Sequence, residues 1–200
     1  MADVWYLSFK AVFLPTTTMD SQTTLANPTP LLCLDFTADS MFNTTLCRGS
    51  RPLYTLSTEP QGSTTELMSA GAGLLLARIR RREGLPETTS FPNINEGEDL
   101  QLSEWLRPCT LADGSEAHLL QTEVGTCLLT RHVNHRLALF TEFDPETPIA
   151  HWARRNDTFQ LSLIFYAGTQ DFYAQVIAAF IIVEQKMRIA EEDDLMVVEP

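Results

Sequence analysis

DFYAQVIAAFIIVEQKMRIA, residues 171–190, decides how the rest of the chain is read. From Phe172 to Val183 every position is apolar apart from Gln175. A helix that is apolar on all sides must be enclosed, either by protein or by lipid. Twelve residues at about 1.5 Å each reach roughly 18 Å, well short of the ~30 Å hydrocarbon layer of a bilayer, and Thr169, Gln170 and Asp171 lead into the segment. The stretch therefore predicts a buried core helix and no transmembrane segment. Asp171 or Thr169 is placed to cap its start, and Lys186 and Arg188 suit the negative end of its dipole.

Working outward, the preceding sequence is a series of short alternating runs broken by turn residues. Leu32, Leu34 and Phe36 share one face of the first. Leu53-Tyr54-Thr55-Leu56, Thr64-Thr65-Glu66-Leu67-Met68 and the run from Leu74 to Arg82 follow, with breaks at Gln61-Gly62, Ala70-Gly71-Ala72-Gly73 and Glu83-Gly84. Residues 86–95 are weakly strand-like, and Leu102-Ser103-Glu104-Trp105-Leu106 fits a single helical turn stopped by Pro108. Asp113-Gly114 is a hairpin signal between Cys109-Thr110-Leu111 and residues 116–121, and more runs span 124–131, 136–142 and 149–152. In the last, residues 158–165, Phe159, Leu161, Leu163 and Phe165 face one way.

About twelve strands followed by one apolar helix predict a mainly β fold: a closed antiparallel β-barrel enclosing the C-terminal helix, a solution that leaves no sheet edge exposed. Residues 1–30 read as an arm and a Thr/Pro-rich linker, 31–190 as the barrel domain with its central helix at 171–190, and 191–200 as an acidic tail.

A formal net charge of −12 and few cations, only Lys10 and Lys186 being lysines, exclude a general nucleic-acid binder. Cys33, Cys47, Cys109 and Cys127 are too scattered for a disulfide scaffold, and Asp3 and Lys10 interrupt the apolar N-terminus as a signal peptide would not allow. Both features point to a cytoplasmic protein. Asn43-Thr44-Thr45 and Asn156-Asp157-Thr158 match the glycosylation pattern, which carries no weight without secretion.

Several segments, in order, carry a resemblance: Thr64-Thr65-Glu66-Leu67, Leu76-Ala77-Arg78-Ile79, Leu102-Ser103-Glu104-Trp105-Leu106-Arg107-Pro108, Asp113-Gly114 and the helix end from Ile182 to Arg188. Over residues 31–190 they resemble a large uncharacterised family of mushroom-forming fungi. It is a domain of unknown function that shares a tubby C-terminal-like barrel with LURP-one-related proteins and phospholipid scramblases. The resemblance implies the barrel and supplies no catalytic residue or cofactor. Lipid binding among remote relatives is an analogy at the level of fold. One departure is Ala117-His118, where the family pattern leads one to expect an aromatic pair.

The candidate site is the arginine strand. Side chains alternate along a strand, so Arg78, Arg80 and Arg82 project from one face about 7 Å apart, with Arg81 opposite. Such a row suits anionic lipid head groups; equally, it can pair with carboxylates such as Glu66 across the hairpin. Arg154-Arg155 would extend it. His132, His135 and Cys127 match no zinc spacing, His118 and His151 read as packing or surface residues, and the acidic runs 96–99 and 191–194 as solvated faces. No nucleophile or phosphate-loop motif is present, so no cofactor or metal is expected. Trp5, Trp105 and Trp152 are expected in the core. The sequence thus describes a non-enzymatic binding or scaffold module whose partner is a protein or an anionic lipid; an enzyme of unrecognised type would need a cleft with a His–carboxylate pair, for instance at His118 or His151.

Overall fold

The computed structural model describes residues 29–122, 125–154, 161–166 and 169–196. Nearly all of the expected N-terminal arm and linker lies outside these residues, as do Trp5, Arg155, Gly168, positions 158–160 of the last expected strand and residues 197–200. Within them run β1 (Leu32–Phe36), β2 (Thr44–Arg48), β3 (Arg51–Thr58), β4 (Thr64–Ser69), β5 (Leu75–Arg80), β6 (Thr88–Ser90) and β7 (Leu100–Gln101). A single turn, α1 (Leu102–Trp105), leads into β8 (Leu106–Thr110), β9 (Glu116–Thr122), β10 (Gly125–His132), β11 (His135–Thr141), β12 (Ala150–Arg154) and β13 (Leu161–Phe165). The long helix α2 (Tyr173–Met196) comes last.

All thirteen strands belong to one antiparallel sheet, in the order β7-β6-β5-β4-β3-β2-β1-β13-β12-β11-β10-β9-β8. Consecutive strands pair as hairpins, and the first and last meet mid-sheet, with Leu34 opposite Leu163. The inward face follows from alternation: Leu32, Leu34 and Phe36 are buried while Cys33 and Asp35 are half-buried.

The expected enclosure of the helix is observed, and the expected closure of the sheet is not. Residues 175–185 of α2 are each at most 4% exposed; three turns with no wet side require sheet or loop all round. Phe36, Trp152 and Phe180 form an edge-to-face chain, with ring centroids 5.1 and 5.3 Å apart, that fastens α2 to β1 and β12. Trp105 packs at 5.0 Å on Phe91.

The closed barrel is corrected to an open sheet, because β7 and β8, its two ends, share no ladder. Three local features keep them apart. β7 is only two residues long, and α1 turns the chain between the two edges. The third is Pro108. Leu111 N–H bonds to the Ser115 carbonyl at 2.9 Å, which fixes the alternation in the β8–β9 hairpin. Cys109 and Arg107 then address β9, while Leu106, Pro108 and Thr110 address the gap. At the middle of that edge Pro108 has no N–H to give, the position in which a sheet tolerates proline. The helical turn ends before Pro108 as expected, and Pro108 itself is an edge-strand residue.

α2 also departs from expectation at both ends. A 3-10 turn, Gln170–Phe172, precedes it, and the Thr169 hydroxyl donates back to the Tyr166 carbonyl at 2.9 Å instead of capping the helix. The helix continues past Ala190 to Met196, so Lys186 and Arg188 lie in its body rather than its last turn. None of the helices in the described residues is long and apolar enough to cross a membrane.

The Asp113-Gly114 turn joins β8 to β9 as expected. Gly114 sits at φ +84° with open space where a side chain would begin. Gly114→Ala is therefore a purely conformational change and is expected to cost about 1 kcal/mol, read as a lower urea midpoint at unchanged slope.

Candidate functional site

Alternation puts Arg78 and Arg80 on the outer face of β5, between the buried side chains of Ala77 and Ile79. Arg78 is paired with its cross-strand neighbour Glu66 at 2.8 Å, and Arg80 with Asp99. β5 ends at Arg80, so Arg82 is off the strand and exposed, with no side-chain partner among the described residues. Arg81 turns to the other side, donating to Thr65 Oγ1 at 3.0 Å and to Gln185 of α2, and lies 3.6 Å from Glu87. The structure thus brings two of the three arginines together. They border an open depression of about 700 Å³ whose far wall is acidic, with Glu96, Glu98 and Asp99.

The gap between the sheet ends holds two smaller cavities, one on each side of α1. The first, about 280 Å³, has an apolar floor of Leu102, Leu106, Pro108 and Ile182 and a polar rim of Glu87, Ser103, His118 and Lys186. Lys186 Nζ lies 2.8 Å from Glu87. Burial, and then the Lys186 charge, lower the His118 pKa against the weaker pull of Glu116, so His118 is neutral at pH 7. Ile182 is 1% exposed, yet it lines this opening: here the interior helix is reached from outside. The second cavity, about 360 Å³, is lined by Leu100, Trp105 and Gln175 among others. Gln175 lies seven residues before Ile182, two helical turns away on the same face. Its Oε1 and the Trp105 Nε1 are buried without a partner among the described residues.

Where α2 leaves the sheet, its polar residues are tied to the strands. Glu184 is fully buried and receives Arg136 Nε of β11 on both oxygens at 2.8 Å and Arg188 Nε at 2.7 Å. Arg136 continues to Glu191 at 2.7 Å, and Arg188 to Asp39 at 2.5 Å. Gln185 Nε2 donates to the Met41 carbonyl at 2.6 Å. Sequence reading passed over Glu184 and Arg136; the only signal was a charged residue directly following an unbroken apolar run.

The histidines, read as separate surface or packing residues, form a stack. His132 and His135 flank the two-residue turn between β10 and β11 and pair across it, their rings 5.1 Å apart. His135 lies 3.7 Å from His151 of β12, which stacks on Tyr166 at 5.6 Å. His151 is 5% exposed and its Nδ1 has no partner among the described residues. Burial first, then the neighbouring imidazoles of His135 and His132, lower its pKa to about 4. No group of three or more His, Cys, Asp or Glu among the described residues is placed to hold a metal. Burial raises the Cys109 and Cys127 thiols, which makes them poor nucleophiles at neutral pH.

A family model described as a family of unknown function (DUF6593) matches residues 39–189, from the loop after β1 into α2. The chain belongs to this family. The match agrees with the expectation of a domain of unknown function. No curated protein and no solved structure matches this DUF6593 chain. The matched region contains the seam cavities, the histidine stack and, apart from Glu191, the Glu184 network.

Proposed function

We propose that this DUF6593 domain is a non-enzymatic binding module that meets its partner at the surface of the sheet. The supporting observation is the filled interior: residues 175–185 of α2 occupy the space in which a barrel-like sheet would otherwise hold a substrate. The enzyme reading calls for a His–carboxylate pair at His118 or His151, and against it counts that neither is hydrogen-bonded to a carboxylate among the described residues. The acidic group nearest His118 in effect is Glu116, which only weakly opposes the lowering of its pKa, and His151 faces other imidazoles. The test is a crystal structure of the domain with its side chains resolved. A packed interior supports the reading; an open internal cavity with converging polar groups overturns it.

A second reading takes the partner to be an anionic lipid head group held by Arg78, Arg80 and Arg82, in a cytoplasmic protein with the tubby-like kinship the sequence suggested. Its support is the alignment of Arg78 and Arg80 at one depression; the carboxylates paired with them count against it. Sedimentation with vesicles containing phosphatidylserine checks it. The triple Ala variant is expected to lose at least half of the pelleting of the wild type, and equal pelleting of both, or none by either, removes the idea.

A further inference from the structure

We propose that the 280 Å³ seam cavity between the segment before β6, α1, β8, β9 and α2 is a binding site for a small apolar monocarboxylate, seated with its tail on Ile182 and its carboxylate between Lys186 and His118. The inference rests on the reading of the domain as a binding module and adds the class of ligand and the place.

The floor and the rim ask for different ends of one molecule. Leu102, Leu106, Pro108 and Ile182 offer only apolar surface, which favours a hydrocarbon or aryl group. At the rim stand the Lys186 ammonium with its partner Glu87, the His118 imidazole and the Ser103 hydroxyl. With a single cation among them, this set suits at most one further negative charge. A phosphate carries about two and is better met by forked guanidiniums, which this cavity lacks. The volume would hold roughly nine waters at about 30 Å³ each, which sets the ligand at about the same number of non-hydrogen atoms.

Lys186 is already paired with Glu87, but Glu87 has a second cation within reach, Arg81 at 3.6 Å. An incoming carboxylate can therefore share Lys186 without leaving Glu87 unpaired. The open sheet edge supplies the entrance, since no strand of the described residues pairs with β8 on that side. The charged and titratable groups around His118 are Lys186 from α2, Glu116 from β9 and Glu87 from the segment before β6. A bound carboxylate adds a negative charge to this set, so it raises the His118 titration midpoint and binds more tightly as pH falls through that midpoint.

Octanoate, with 1-octanol as the uncharged control, is titrated into the full chain and followed by methyl and His118 ring resonances. Octanoate is expected to shift the Ile182, Leu102 and Leu106 methyls saturably and to move the His118 midpoint upward, with octanol at least tenfold weaker. Lys186→Met keeps the stem of a half-exposed side chain and should weaken octanoate about tenfold. Ser103→Phe fills the mouth from an exposed position and should abolish the shifts. Absence of saturable shifts at these methyls in the folded wild type, or octanoate binding unchanged in both variants, overturns the site while leaving the binding-module reading standing. Chemical conversion of a bound ligand would instead overturn the module reading.

Discussion

Arg136→Met is expected to lower the unfolding free energy by about 3 kcal/mol. The reason lies in the depth of its partner rather than in the arginine, which is about one-fifth exposed. Glu184 is fully buried, and Arg136 supplies the charge-assisted contact to both of its oxygens. Without it the carboxylate keeps only Arg188, one turn further along the same helix, in place of a cation anchored in β11. Paired buried charges repay their desolvation only while the pairing is intact. Replacing the whole set, Glu184→Leu with Arg136→Met and Arg188→Met, is therefore expected to recover most of the loss. Urea unfolding at pH 7 measures both. A loss below about 1 kcal/mol for Arg136→Met, or a triple variant no more stable than the single one, would show that the pairing does not hold the end of α2.

Acidification is the second large effect. His151 titrates near 4 in the folded protein and near 6.5 when unfolded, so the unfolded chain takes up its proton first as pH falls. Stability is complete above about pH 6.5 and declines toward pH 4. At pH 5 the linkage amounts to about 2 kcal/mol, approaching about 3 at lower pH. His135 and His118, both shifted downward chiefly by burial, act in the same direction. Comparing urea midpoints at pH 7 and pH 5 for wild type and His151→Gln isolates the contribution, because carboxylate titration is common to both. An equal drop in the two proteins would assign the acid sensitivity elsewhere.

What the sequence made legible was whatever repeats at short range. The apolar run at 172–183 demanded enclosure, the alternation in 32–36 and 161–165 placed strands with the correct inward face, and 64–68 was placed as a strand. β2 was missed because TTLCR has no clear period and follows a loop. β8 was legible only from Cys109 onward, as one arm of the Asp113-Gly114 hairpin, because Pro108 interrupts its pattern although the backbone there is extended. Closure was misjudged for a related reason: whether two sheet ends join depends on which way single N–H groups point, and hydropathy carries no such information. The arginine row was half legible, since strand alternation predicted Arg78 and Arg80 correctly but could not place the end of β5 before Arg82. The histidine stack and the Glu184 network join residues far apart in the chain, so no local spacing announced them.

The position of α2 after every strand has a consequence for synthesis on the ribosome. Until the last residues of this helix clear the exit tunnel, the concave face that Phe36, Leu129 and Trp152 line has nothing to wrap. A nascent chain stalled before residue 172 would present that greasy surface to its neighbours and to chaperones. Translation pauses or stop codons just before α2 should therefore yield insoluble product.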